Sequence, residues 1–272
     1  MTGSDREQLG RVRERFTRTA QQFAQFALST RGDEAERLVN LALSRFAHAA
    51  QAIAVDLACG PGTFTRSFAP RVGFVIGLDL TPAMLGEAQQ TAARDALANL
   101  AFACADANAL PLPDAGLDLA VCAYSFHHFL DPARAIREMA RVVRPGGRVA
   151  AVDLIVPDGA DPESNNRIER ARDNSHARTL STAELHALLE AAGLHLLASE
   201  FGERLRQFND WMQIVGCPPG SPSYSETRRL MEASIPGDTA GFHPRFAAVA
   251  VHGAPPELQF VQTSLFVVAE KC

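Results

Sequence analysis

The sequence predicts an α/β fold built on a parallel sheet with helices on both of its faces. Three observations carry this. Short β-branched apolar runs alternate with helix-length segments over about a hundred residues after position 50, the pattern of strand–helix–strand units. The first run, with Ile53 and Val55, meets Asp56 and passes through Leu57-Ala58-Cys59 into the glycine turn Gly60-Pro61-Gly62-Thr63. Two later runs, Phe74-Val75-Ile76-Gly77-Leu78-Asp79 and Leu100-Ala101-Phe102-Ala103-Cys104-Ala105-Asp106, also end in an acid.

The elements follow in order. Residues 5 to 48 read as helical from the broken spacing of Phe16, Phe23 and Phe26, then Leu38, Leu41 and Leu43, with Arg31-Gly32-Asp33 as the break. The first strand is followed by a helix from Thr63. Thr81-Pro82 and Asp131-Pro132 each start a helix with an N-cap residue and proline at the first helical position. The second of these is expected to end at Pro145-Gly146-Gly147, with a fifth strand over Val149 to Val156. The polar segment from Pro157 to Leu180 reads as an insertion outside the sheet. Ser181-Thr182-Ala183-Glu184 is a capping box for a helix that Gly193 stops. A sixth strand is expected over Leu194 to Phe201, short helices and turns over 202 to 257, and a last strand over Phe260 to Ala269.

The chemistry concentrates at the ends of the first strands. Gly60 and Gly62 let the backbone approach a ligand where a Cβ would collide. Such a ligand rests against amides at a helix N-terminus, at the carboxyl edge of the sheet. Asp79 stands roughly 20 residues past the glycine loop, where a carboxylate can accept both hydroxyls of a ribose. Asp106 can accept a hydrogen bond from an adenine amino group. A dinucleotide enzyme prefers a third glycine in G-x-G-x-x-G, and Thr65 stands in that place.

On these residues the chain resembles the class I S-adenosylmethionine-dependent methyltransferases, in the branch related to the ubiquinone/menaquinone-biosynthesis methyltransferases. Leu110-Pro111-Leu112-Pro113-Asp114, Ser125-Phe126-His127-His128-Phe129, Leu130-Asp131-Pro132 and Arg141-Val142-Val143-Arg144-Pro145-Gly146-Gly147-Arg148 match as well. The resemblance implies a Rossmann-like, seven-stranded, mostly parallel sheet whose last strand is antiparallel. It implies an N-terminal helical lid over residues 1–50 and an S-adenosylmethionine-binding core over 51–156. Residues 157–272 would supply a small acceptor-side insertion and the elements completing the sheet. S-adenosylmethionine is the implied methyl donor, with S-adenosylhomocysteine as product. Asp56 would act through the loop and the amino-acid end of the cofactor, with Ala58, Gly60, Gly62 and Thr63 in the same loop. Asp79 would hold the ribose and Asp106 the adenine, with Leu80, Met84 and Ala107 around them. The Tyr124 ring would cover the cofactor, where an aromatic face attracts a sulfonium cation.

The implied reaction is methyl transfer to carbon or oxygen of a small organic acceptor. His127 and His128 follow the fourth strand, beside the expected methyl, and one imidazole can assist by taking a proton. A hydrogen-bonded packing role is the plain alternative for each. A weaker echo of the family, from Ile168 to Arg178, offers Arg172, His176 and Arg178 as acceptor-binding groups, against simple pairing with Glu169 or Asp173. Asn174 stands where many relatives have proline, and Cys122-Ala123-Tyr124 where many have arginine. Two rival functions stay open: a protein of this fold that binds the cofactor without methyl transfer, and a nicotinamide-dependent oxidoreductase.

Composition narrows the partners. A net charge of −5 over 272 residues, with no basic block, disfavours a nucleic-acid substrate. Glu7 and Glu14 interrupt the arginines 11, 13, 15 and 18, as on a solvated helix face. No stretch is apolar enough to cross a bilayer or to serve as a signal-peptide core. The five cysteines show no paired or metal-ligand spacing, so no metal is expected and a reducing cytoplasm fits. A homodimer is compatible with this reading.

Overall fold

In the computed structural model the described residues are 3–247 and 256–272; the rest of the turn-rich segment, 248–255, lies outside them. The sheet is built from β1 (Ile53–Leu57), β2 (Phe74–Asp79), β3 (Leu100–Cys104), β4 (Leu117–Ala123), β5 (Val143–Val156), β6 (Leu180–Ser181), β7 (Leu194–Gln207), β8 (Arg245–Phe246) and β9 (Leu258–Lys271). Its order is β3-β2-β1-β4-β5-β9-β7, seven strands long, with the two-residue strands β6 and β8 added on β5 and β9. Among the described residues the sheet thus has the expected seven-strand path and two short strands besides, nine in all. The first five strands of the path run parallel, and β9 lies antiparallel between β5 and β7.

The helices are α1 (Gly3–Thr30), α2 (Gly32–Leu43), α3 (Thr63–Phe68), α4 (Pro82–Arg94), α5 (Pro132–Val142), α6 (Pro162–Arg172), α7 (Thr182–Ala191), α8 (Phe208–Ile214) and α9 (Pro222–Ala233). Strand alternation sends neighbouring side chains to opposite faces. Val55 and Leu57 join Ile136, Met139, Leu185 and Leu189 under α5 and α7. Ala54, Val75 and Leu119 pack against Leu38, Val39, Phe64 and Phe68 of α2 and α3. A third cluster around Phe208, Trp211, Phe242 and Phe260 joins α6, α8 and α9 to β9.

Several boundaries depart from the sequence reading. Val143 already pairs with Leu117, and the register shifts before Arg148 pairs with Leu119, so Pro145-Gly146-Gly147 is an irregularity within β5 rather than the end of α5. β7 runs six residues beyond Phe201 because its partner β9 continues beside it as far as Gln259, opposite Gln207. The 157–180 insertion holds a capped helix, α6, with the Asp161 carboxylate accepting from the Ser164 amide. Thr81 occupies the N-cap position of α4 without a side-chain cap; the Asp79 carboxylate accepts the Thr81 amide instead. Cys104 is exposed, unlike buried Cys59 and Cys122, and all five thiols are free. Among the described residues no helix is long and apolar enough to cross a membrane.

The sheet order reverses between β1 and β4, and a crevice outside the carboxyl ends of parallel strands forms at such a point. α1 lies over this crevice. Buried polar ties hold it there: Gln8 Nε2 donates to the carbonyls of His128 (2.9 Å) and Ser175 (2.6 Å), and Arg15 pairs with Asp173 at 3.0 Å.

Candidate active site under the first helix

The glycine loop turns through left-handed backbone at Ala58, Gly60 and Gly62 (φ 50°, 54° and 76°) before entering α3. Gly60 has room for a Cβ, so it is the conformation that favours glycine there. At Gly62 a Cβ would come within 3.1 Å of Ala88 Cβ and Phe102 Cζ. The second glycine therefore lets the loop close onto β3 and α4, rather than clearing space for a ligand.

One cavity opens above this loop, with about 1280 Å³ of atom-free space including its mouth. Ala58, Gly60, Thr63, Asp79, Leu80, Met84, Asp106, Ala107, Tyr124 and His128 are on its wall. Gly62 and Asp56 are not.

Asp79 Oδ2 accepts the Gly60 amide and Oδ1 accepts the Thr81 amide, each at 2.8 Å. Burial pushes this carboxyl up, and the two amides oppose the rise. Each oxygen keeps a second lone pair, so the geometry accommodates a pair of hydroxyls. Asp106 Oδ1 accepts from the Asn108 amide and side chain at 2.9 and 3.0 Å. Asp56, 1 % exposed, braces the loop from behind: Oδ2 accepts from Thr65 Oγ1 at 2.6 Å, while Oδ1 is buried without a partner. Burial pushes its carboxyl up to about 7, against the Thr65 hydrogen bonds. Thr65, read only as a missing glycine, has this structural role.

The two histidines face different surroundings. His127 Nδ1 is bonded to Asp153 Oδ1 at 2.5 Å, and Asp153 also accepts the Phe126 and Leu154 amides. This pair pins the loop from beneath, and His127 is absent from the cavity wall. His128 reaches the wall. Its Nδ1 is 3.0 Å from the Ser175 carbonyl, while the Ser175 hydroxyl donates to Asp173 Oδ1 at 2.6 Å. A carbonyl only accepts, so Nδ1 carries the proton and Nε2 keeps a lone pair. Burial, and then neighbouring His127, push the His128 imidazole down to about 3. It is neutral at physiological pH.

The residues 172, 176 and 178 lie outside the cavity wall. Arg172 pairs with Glu169 at 3.2 Å and covers the Trp211 ring, 4.3 Å from its centroid. His176 is buried, donates from Nε2 to Asn166 Oδ1 at 2.9 Å, and stacks on His127. Arg178 pairs with Glu184 on the surface at 2.8 Å. Apolar residues of the wall come instead from α1, through Leu9, Val12, Phe16 and Phe23, with Phe129 and Leu130 also on it. The phenylalanine spacing marked a helix in the sequence; nothing local said that its apolar stripe would face a cavity. Arg31 also lines the wall, its guanidinium 4.0 Å from the Tyr124 ring centroid, so the ring face assigned to a sulfonium has a cation over it already.

The family model described as a methyltransferase domain matches residues 55–151, the stretch from β1 to β5 that carries the glycine loop and the strand-end acids. A Bacillus subtilis protein, the uncharacterized methyltransferase YcgJ, is 31% identical over 206 residues, covering 75% of this chain and 79% of the relative. The chain belongs to the class I S-adenosylmethionine-dependent methyltransferases. A demethylmenaquinone methyltransferase of Deinococcus radiodurans is 34% identical to this methyltransferase over 169 residues, covering 58% of this chain and 68% of the relative. The crystal structure of YcgJ superposes with a TM-score of 0.76 at 26% identity, covering 86% of this methyltransferase and 98% of YcgJ.

Proposed function

We propose that this methyltransferase binds S-adenosylmethionine along the carboxyl edge of β3, β2, β1 and β4, and methylates carbon or oxygen of a small, largely apolar acceptor held under α1. The observation that supports this most is the joining of Asp79, Asp106 and the left-handed glycine loop in one cavity that α1 walls with Leu9, Val12, Phe16 and Phe23. The unused lone pairs of Asp79 fit a ribose, and unpartnered Arg31 fits an anionic group. When bound, S-adenosylmethionine supplies an electrophilic methyl on a sulfonium whose charge is lost in the transfer. The protein therefore needs chiefly to hold the acceptor in line and to exclude water. The Leu9, Val12 and Phe16 side of α1 supports both tasks. An apolar acceptor agrees with the relative named for demethylmenaquinone. The acidic chain does not favour a nucleic-acid acceptor.

Calorimetric titration tests the cofactor reading. S-adenosylmethionine and S-adenosylhomocysteine are expected to bind and NAD to give no heat; NAD binding without either adenosyl ligand would favour the oxidoreductase. Binding with no turnover across a panel of apolar phenols and enols would favour a cofactor-binding protein without transfer.

His128 is better suited to orient the acceptor than to deprotonate it. A base effective at neutral pH has a pKa near the operating pH, and burial holds this imidazole near 3. Its Nε2 lone pair can instead accept a hydrogen bond from an acceptor hydroxyl. Turnover at saturating acceptor is expected to show no His128-dependent inflection between pH 5.5 and 7.5, a window around the unperturbed value of about 6.5. A fall below about pH 6.5 that disappears in His128→Gln would restore the base role.

A further inference from the structure

Among the described residues the Arg31 guanidinium forms no ion pair of its own. It follows the last residue of α1, and its Nε is buried with no hydrogen-bond partner. Among the described residues its side chain makes no hydrogen bond or ion pair, only ring contacts with Tyr124, Phe23 and Phe26. Burial lowers its pKa, yet a guanidinium does not give up its proton in a protein. The acids that act on it are engaged elsewhere: Glu34 pairs with Arg204 at 3.1 Å, and Asp153 is bonded to His127. Arg206 adds a further cation close by and bonds only the neutral Gln262 Oε1, at 3.1 Å. Three guanidiniums thus share one carboxylate, that of Glu34, with Tyr124 neutral because burial raises its hydroxyl pKa. A partly enclosed guanidinium without an anion gains a charge-assisted partner when one enters the cavity. The one that reaches the cavity is Arg31.

Its position along the sheet edge identifies the anion. Asp106 follows β3, Asp79 ends β2, the glycine loop follows β1, and Tyr124 follows β4. An adenosine held by Asp106 and Asp79 directs its 5′ substituent past the glycine loop towards Tyr124, over which Arg31 lies. We infer that Arg31 is the receptor for the α-carboxylate of the bound cofactor, an assignment that rests on the cofactor reading above. The carboxylate would supply the missing counter-charge and, through Arg31, tie the junction of α1 and α2 to the cofactor.

The test compares S-adenosylhomocysteine with its decarboxylated analogue, which keeps the amine, by calorimetry on the full chain and on Arg31→Met and Arg31→Lys. The unmodified protein is expected to prefer S-adenosylhomocysteine by about 10- to 100-fold, the range for a hydrogen bond to a charged group. In Arg31→Met the preference should vanish through weaker binding of S-adenosylhomocysteine alone, and Arg31→Lys should regain part of it. Unchanged S-adenosylhomocysteine affinity in a folded Arg31→Met would overturn the assignment and leave Arg31 to a carboxylate on the acceptor. Equal weakening of both ligands would also overturn it, as a purely structural effect. The comparison in the unmodified protein stands even where a variant does not fold, because equal affinities there reject a carboxylate receptor. If neither ligand binds the unmodified protein, the cofactor reading itself fails, a result distinct from any of these.

Discussion

Asp79→Ala is expected to weaken S-adenosylhomocysteine binding by roughly ten- to hundredfold, the equivalent of about 1.5–3 kcal/mol for lost hydrogen bonds to a charged acceptor. Two effects add in the same direction. The ribose hydroxyls lose the lone pairs that Asp79 has free, and the Gly60 and Thr81 amides lose their acceptors. The second effect loosens the glycine loop and the entry to α4, so Asp79→Asn is the sharper probe. Asparagine keeps one oxygen for an amide but presents donors at the other position. Both variants should retain a cooperative melting transition, because the strands and the two large core clusters do not depend on this carboxylate. Calorimetry with S-adenosylhomocysteine checks the affinity. Wild-type affinity in a folded variant would reduce Asp79 to a turn residue.

Arg15→Met should have the largest effect on α1. Arg15 and Asp173 are 4 % and 5 % exposed, and removing one partner of a buried pair costs about 3–5 kcal/mol. Burial alone would raise the Asp173 carboxyl, but Arg15 holds it below the usual range. Without Arg15 that carboxylate is left in a site built for a pair. Arg15 also donates to Thr19 Oγ1 and covers the Phe16 ring, so the loss spreads along the wall-forming face of α1. α1 can lift while the sheet stays folded, so the loss should appear as faster amide exchange in α1 more than as global unfolding. Adding Asp173→Asn removes the stranded charge and should recover part of the protection. Protection in Arg15→Met reduced by less than about 1 kcal/mol would place the pair with exposed ones of little consequence.

The strand-end side of the cavity was the most legible part of the chain. A strand end, a glycine turn and an acid are each set by a few adjacent residues, and the parallel strand–helix repeat brings three such ends to one edge. Asp56 shows the boundary of that logic. Its position in the motif is local, but its bond to Thr65 and its absence from the wall depend on how α3 packs behind the loop.

His127 and His128 are adjacent in the chain and equivalent in the sequence. Asp153 on β5, 26 residues away, pins one, and the Ser175 carbonyl turns the other to the cavity. The strand expected to end at Phe201 continues in β7 through Glu203, Arg204 and Arg206, because pairing with β9 supplies backbone hydrogen bonds whatever the side chains are. Arg31-Gly32-Asp33 reads locally as a helix break, and it is one. That its arginine lies half-buried near Arg204 and Arg206 follows from the docking of the helix junction on β7 and β9. Sequence alone therefore determined the fold class, the order of the elements and the edge where the strand-end acids gather, because propensity, periodicity and turn chemistry act over a few neighbouring residues. Tertiary structure decided which polar groups face the cavity and which charges are left unpaired, because burial and ion pairing depend on residues brought together from distant parts of the chain.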